Sequence, residues 1–196
     1  EKTGNYTGIF LVLHWKAIVG AIYKKYEDVE NFCRKYEDSA TDGLGSYAYY
    51  MIYFYYHLSV IQLIKKESYK KGKYLSLYKR NLRMFRDFAE KQPENYQSKY
   101  FFLLAEFFHL KGDIENCLAN FEKTIHASME NKFYHDQALA CERMGEIFLE
   151  LENYSLAKIY IEKSIRLFHQ WGCQPKVNCM TKEYENLLMV SQILVN

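Results

Sequence analysis

At 196 residues the chain can form one substantial core, or a stack of about four or five helix pairs. Apolar residues at 49% and charged residues at 26% are ordinary for a folded soluble protein, and a net charge of +2 gives no global push toward nucleic acid or membrane. Aromatic residues are abundant at 17%, whereas Pro (two) and Gly (nine) are scarce, so long helices are allowed.

In chain order the punctuation divides the sequence into hairpins of two helices. Residues 6–22 and 25–38 make the first, with Tyr26, Val29 and Cys33 at the offsets of a second helix. Ser39-Ala40-Thr41-Asp42-Gly43-Leu44-Gly45 reads as a loop. The second hairpin joins 46–66 to 73–91 with Gly72 between them, and Tyr78, Leu82, Phe85 and Ala89 form a helical stripe. Gln92-Pro93-Glu94-Asn95 interrupts the chain, because a proline disfavours helix at the residue before it. The third hairpin is expected over 96–111 and 114–131, the fourth over 135–151 and 154–171. Gly172 is placed as a helix C-terminal cap, and a last helix over 176–194 would cover the open end of the stack.

The third and fourth hairpins repeat with an offset of 40 residues. Phe101, Leu104, Ala105 and Phe108 precede the turn Lys111-Gly112-Asp113-Ile114, which leads to Cys117, Phe121 and Thr124. Their counterparts are Cys141, Met144, Gly145 and Phe148, the turn Glu152-Asn153-Tyr154, then Ala157, Ile161 and Ser164. Small residues fall where paired helices must approach, and large ones fill the gap to the next unit. Each hairpin has an apolar face that it cannot bury alone, which is the logic of a stacking repeat. The fold class expected is all-α, a right-handed superhelix of antiparallel hairpins in a single domain over 1–196.

Residues 47–64 carry no Asp, Glu, Lys or Arg. A membrane-crossing helix needs about 20 mainly apolar residues. Here six Tyr, a His, a Ser and a Gln interrupt the run, so a helix buried within a stack is the better reading. The five Cys (Cys33, Cys117, Cys141, Cys173, Cys179) are odd in number and lack a C-x-x-C pair; buried free thiols in a reducing cytoplasm are expected. The chain opens on Glu1-Lys2-Thr3 rather than Met, which suggests a segment of a larger protein.

The large and small spacing resembles the tetratricopeptide repeat, whose usual period is about 34 residues. A second likeness rests on Pro93-Glu94-Asn95-Tyr96 with Lys99-Tyr100, on Leu110-Lys111-Gly112-Asp113, on His135-Asp136-Gln137-Ala138-Leu139-Ala140, and on Trp171-Gly172-Cys173-Gln174-Pro175-Lys176-Val177. With these marks the chain resembles the helical repeat region that follows the predicted ATPase module in multidomain serine/threonine kinase and histidine kinase type signalling proteins. The Tyr-rich helix and the first hairpin fit that pattern less closely. The resemblance implies a regulatory segment between an ATP-binding switch and an output domain, with the chemistry kept elsewhere.

Chemical motifs are scarce. There is no G-x-x-x-x-G-K-[ST] or G-x-G-x-x-G loop, no kinase or hydrolase signature and no H-E-x-x-H. The six His (His14, His57, His109, His126, His135, His169) are dispersed; a metal set of His169, Cys173 and Cys179 is weaker than a helix end with a packed thiol. Asn5-Tyr6-Thr7 and Asn153-Tyr154-Ser155 match the glycosylation pattern, unused in a cytoplasmic chain. No catalytic residue, cofactor or metal is expected.

Two charged features stand out. From Lys65 to Arg86 run Lys65, Lys66, Lys70, Lys71, Lys73, Lys79, Arg80, Arg83 and Arg86 against Glu67 alone. Lys79, Arg80, Arg83 and Arg86 would form a basic strip: a solvated face, or a contact for an acidic protein surface, ahead of nucleic acid or anionic lipid. The tetratricopeptide likeness places Lys99, Phe102, Glu106 and His109, with Leu139, Glu142, Glu146 and Leu149, on a concave face. That mixed apolar and acidic lining suits an extended or helical segment bearing Lys or Arg. The role expected is protein–protein interaction or intramolecular coupling in a signalling protein, with a protein, a peptide or flanking domains as partner and no membrane insertion. The alternative is a sensor binding a peptide or small molecule in the groove.

Overall fold

The computed structural model describes residues 6–37, 47–66 and 71–189. Among the described residues every regular element is a helix and no strand occurs. In chain order they are α1 (Tyr6–Ile22), α2 (Tyr26–Glu37), α3 (Tyr47–Lys65), α4 (Lys71–Lys91), α5 (Pro93–Lys111), α6 (Ile114–Glu130), α7 (Tyr134–Glu150), α8 (Tyr154–Gln170), α9 (Gln174–Glu183) and α10 (Glu185–Met189). The expected loop over 39–45, the basic Lys70 and the tail beyond 189 lie outside the described residues.

Three boundaries differ from the sequence reading. Helix α5 starts on Pro93 itself, because the first helical position needs no N–H and suits the fixed proline φ. Gly72 lies in the first turn of α4 rather than between helices, with open space where a Cβ would stand. The last helix is two: the chain breaks at Tyr184, whose buried ring turns inward and whose hydroxyl donates to Glu146 Oε1 at 3.2 Å.

The turns repeat one device. Lys24, Gly112, Lys132, Glu152 and Gly172 each take a left-handed φ between +56° and +83°. At each, this residue and the next return their N–H groups to the preceding helix. Gly112 donates to His109 O at 3.0 Å and Asp113 to Phe108 O at 3.0 Å; Glu152 and Asn153 do the same to Leu149 O and Phe148 O. These bonds satisfy carbonyls that the helix end would leave open. Asp113 and Asn153 then cap the next helices, their side chains accepting from Asn116 N and Leu156 N, both at 3.1 Å.

By its packing the chain divides into two compact units, Glu1–Met84 and Phe85–Asn196, where the sequence reading has one; the boundary falls inside α4. In the first unit α1, α2 and α3 pack on one another. Helix α3 is buried almost all round from Met51 to Ile64, as its lack of charge requires. No described helix is long and apolar enough to cross a membrane.

In the second unit α5 packs on α6, α7 on α8, α6 on α7, and α8 on α9. The repeated positions form its core: Ala105, Cys117, Phe121 and Thr124 in one hairpin, Cys141, Met144, Ala157, Ile161 and Ser164 in the next. Cys33, Cys117 and Cys141 are buried free thiols, Cys173 is half-buried and Cys179 exposed. At Gly145 α7 meets α8 without a side chain between them, since a Cβ there would stand 2.6 Å from Ile161 Cδ1 and 2.7 Å from Cγ1.

Gly145→Leu therefore overpacks this crossing and should cost about 1–3 kcal/mol. Thermal melting measures the loss, and pairing the change with Ile161→Ala should recover part of it.

Candidate functional site

Three of the groups that the sequence places on a concave face, Lys99, Glu106 and Glu142, are buried in the second unit in a ladder of ion pairs. Lys99 on α5 is 1% exposed, as is Asp136 at the start of α7; Glu106 is 0%, Glu142 2% and Lys176 1%. A charge removed from water to this degree costs several kcal/mol unless a partner and hydrogen bonds compensate it. Each of these charges has such a partner on the first helix of the neighbouring hairpin.

The Lys99 ammonium donates to Asp136 Oδ2 at 2.7 Å and lies over the Phe133 ring at 4.2 Å from its centroid. Ser98 Oγ donates to the same oxygen at 3.1 Å. His135 Nε2 stands 3.1 Å from the other oxygen, Oδ1, near enough for charge attraction but not aligned as a hydrogen bond. Burial alone would raise the Asp136 carboxyl; Lys99, His135 and the bonds from Lys99 and Ser98 overcome it and hold the group below the ordinary carboxylate value.

Two turns along, Arg143 on α7 donates through Nε to Glu106 Oε1 at 2.7 Å and also bonds Glu146. Glu146 in turn accepts from the Tyr184 hydroxyl. The third rung runs from Glu142 to α9, where the Lys176 ammonium donates to Oε1 at 2.9 Å and lies near the Phe168 ring. His109 Nε2 donates to Glu150 Oε2 at 2.9 Å at the half-exposed end. The rungs thus tie α5 to α7 and α7 to α9.

The concave lining predicted from the sequence is therefore largely interior. Lys99, Glu106 and Glu142 are buried in ion pairs, and Phe102 and Leu139 are buried in the core, Phe102 edge-on to Phe121. His109, Glu146 and Leu149 are the half-buried rim. Asp136, Arg143 and Lys176, which complete the ladder, were absent from the predicted set. Their signal is spacing, since the partners lie 37, 37 and 34 residues apart, close to one repeat.

The basic strip lies on α4. Lys79, Arg80 and Arg83 are exposed in the first unit's part of that helix. Arg86, in the second unit's part, is exposed and stands 3.3 Å from Asp87 and 3.9 Å from Glu90. The side chains of Lys71 and Lys73 lie outside the described residues.

The first unit holds a second buried polar group. His57 on α3 donates from Nδ1 to the Tyr53 carbonyl at 2.6 Å, and its Nε2 accepts from the Asn81 amide. Desolvation above all, with Arg80 adding to it, lowers its pKa to about 4 against the bond to Tyr53.

The remaining chemistry is quiet. Burial pushes the Cys141 thiol up to about 12, so it is not a thiolate at neutral pH. His169 bonds Gln174 at 3.2 Å, and among the described residues no three His, Cys, Asp or Glu gather as a metal would need.

The chain is similar to part of the peroxide stress-activated histidine kinase mak3 of Schizosaccharomyces pombe, at 29% identity over 173 residues. That stretch covers 85% of this chain and 7% of the kinase. No family model matches the chain, and no solved structure does.

The His57 arrangement makes the stability pH-dependent. Its folded value, about 4, lies below the unfolded 6.5. Its contribution is therefore complete above pH 6.5 and lost as pH falls from there toward 4, in total about 3 kcal/mol. Denaturant melts between pH 7.5 and about 4.5 should show this slope, and His57→Gln should flatten it.

Proposed function

We propose that the chain is a non-catalytic coupling segment of a multidomain signalling protein, passing the state of one flanking domain to another through stacked hairpins. The hairpins α5–α6 and α7–α8 are, in this proposal, tetratricopeptide-like units of a right-handed solenoid, with α9 and α10 covering its end. A cytoplasmic place goes with it, resting on free buried thiols at Cys33, Cys117 and Cys141.

The observation that carries the reading is the ladder. A buried ion pair is weak evidence for stability, because apolar residues of similar volume often do as well. It does fix which helix face meets which, and a wrong register strands an unpaired charge. Hairpins joined this way move between discrete arrangements rather than deforming gradually, which is what a relay between domains requires. The likeness to a stretch of a histidine kinase supports a signalling context. A partner contact on the same face would use the half-buried rim of His109, Glu146 and Leu149, and an acidic partner would meet Lys79, Arg80 and Arg83.

The test is made in the longer protein that carries this segment. Replacing one rung by apolar residues of similar size, Glu142→Leu with Lys176→Met, keeps the hairpins folded and removes the charge match. Coupling predicts a change of about fivefold or more in histidine autophosphorylation or its response to stimulus. An unchanged output with a folded segment would reject the reading.

A further inference from the structure

Outside the ladder, one surface of the second unit gathers positive charge around a cavity. Between α8 and the start of α9 lies a pocket of about 520 Å³, lined by Lys163, Ile165, Arg166, Leu167, His169, Gln170 and Val177. Lys163, Arg166 and His169 follow one another at intervals of three along α8, which places them on one side of that helix. No carboxylate lines the pocket.

Among the described residues neither Lys163 nor Arg166 is in an ion pair, and the nearby Glu162 pairs with Lys158 at 3.8 Å. His169 is held by its neighbours: Nδ1 donates to Gln174 Oε1 at 3.2 Å, and the Gln174 amide donates to Asn178 Oδ1 at 2.9 Å. That leaves Nε2 as the ring's second polar atom. Ile165, Leu167 and Val177 supply an apolar floor.

We propose that this pocket binds an acidic peptide segment, its carboxylates meeting Lys163 and Arg166 while an aliphatic side chain rests on Ile165, Leu167 and Val177. An extended nucleic acid or a lipid surface would call for a broad basic face; here three cationic or protonatable side chains converge on one cavity with an aliphatic base. The site adds a partner chemistry to the coupling reading without depending on it, because no ladder residue lines the pocket.

The test uses the full chain and a fluorescein-labelled peptide with Leu between paired Glu residues, read by fluorescence anisotropy. The expected result is saturable binding that weakens as salt rises and is absent for the same peptide with Gln in place of Glu. Lys163→Glu with Arg166→Glu, its fold checked by circular dichroism, should weaken binding by on the order of tenfold or more. If that variant fails to fold, Lys163→Gln with Arg166→Gln should show the same loss. Equal binding of the Gln peptide, no saturable binding, or a folded variant that binds like the parent would overturn the proposal. None of those outcomes bears on the ladder.

Discussion

Five buried charges set the terms for the second unit. Lys99, Glu106, Asp136, Glu142 and Lys176 sit where water does not reach, and each must find its opposite charge within hydrogen-bonding distance or destabilise the fold. In each of the three rungs the opposite charge comes from another hairpin. Asp136, Arg143, Lys176 and Glu142 come from the next or preceding first helix, so each hairpin is incomplete until its neighbour is seated. Apolar packing supplies most of the driving force, through Phe121, Ile161 and their surroundings, but apolar contact tolerates sliding. The ion pairs do not.

Other features serve that requirement. Left-handed residues at the turns make each hairpin tight and close its carbonyls. Gly145 and Ala157 let α7 approach α8, while Ser164 Oγ donates to the Ala138 carbonyl at 2.7 Å and fastens the pair. Aromatic rings at Phe133 and Phe168 lie against the ammonium groups of Lys99 and Lys176, which partly replaces their lost water. In the first unit, His57 with Tyr53 and Asn81 shows the same economy: a buried polar group with both ring nitrogens satisfied.

Much of the helical order was legible in the sequence, because the repeat of Phe101–Thr124 in Cys141–Ser164 places large and small residues at fixed offsets. The errors have particular causes. Pro93 was read as a break, although a proline also starts helices; Gly72 was read as a turn, although an exposed first helical turn tolerates it. At the break, the Tyr184 hydroxyl bonds Glu146, 38 residues away, a contact that no local pattern announces. The ladder was half visible. The sequence reading placed Lys99, Glu106 and Glu142 along a groove, because a charge on a helix face reads as solvated until its partner about one repeat away is recognised. The boundary between the two compact units falls between Met84 and Phe85 inside α4, where no Gly or Pro marks it in the sequence.

The central claim is that the buried charges are matched to one another across hairpins, rather than stabilising singly. A double-mutant cycle on Glu142 and Lys176, followed by denaturant unfolding, tests it most directly. Glu142→Leu alone and Lys176→Met alone should each cost about 3–5 kcal/mol by stranding a buried charge, and the pair together should cost much less than either. If the double variant instead loses the sum of the two single costs, the charges do not depend on each other and the ladder account is wrong.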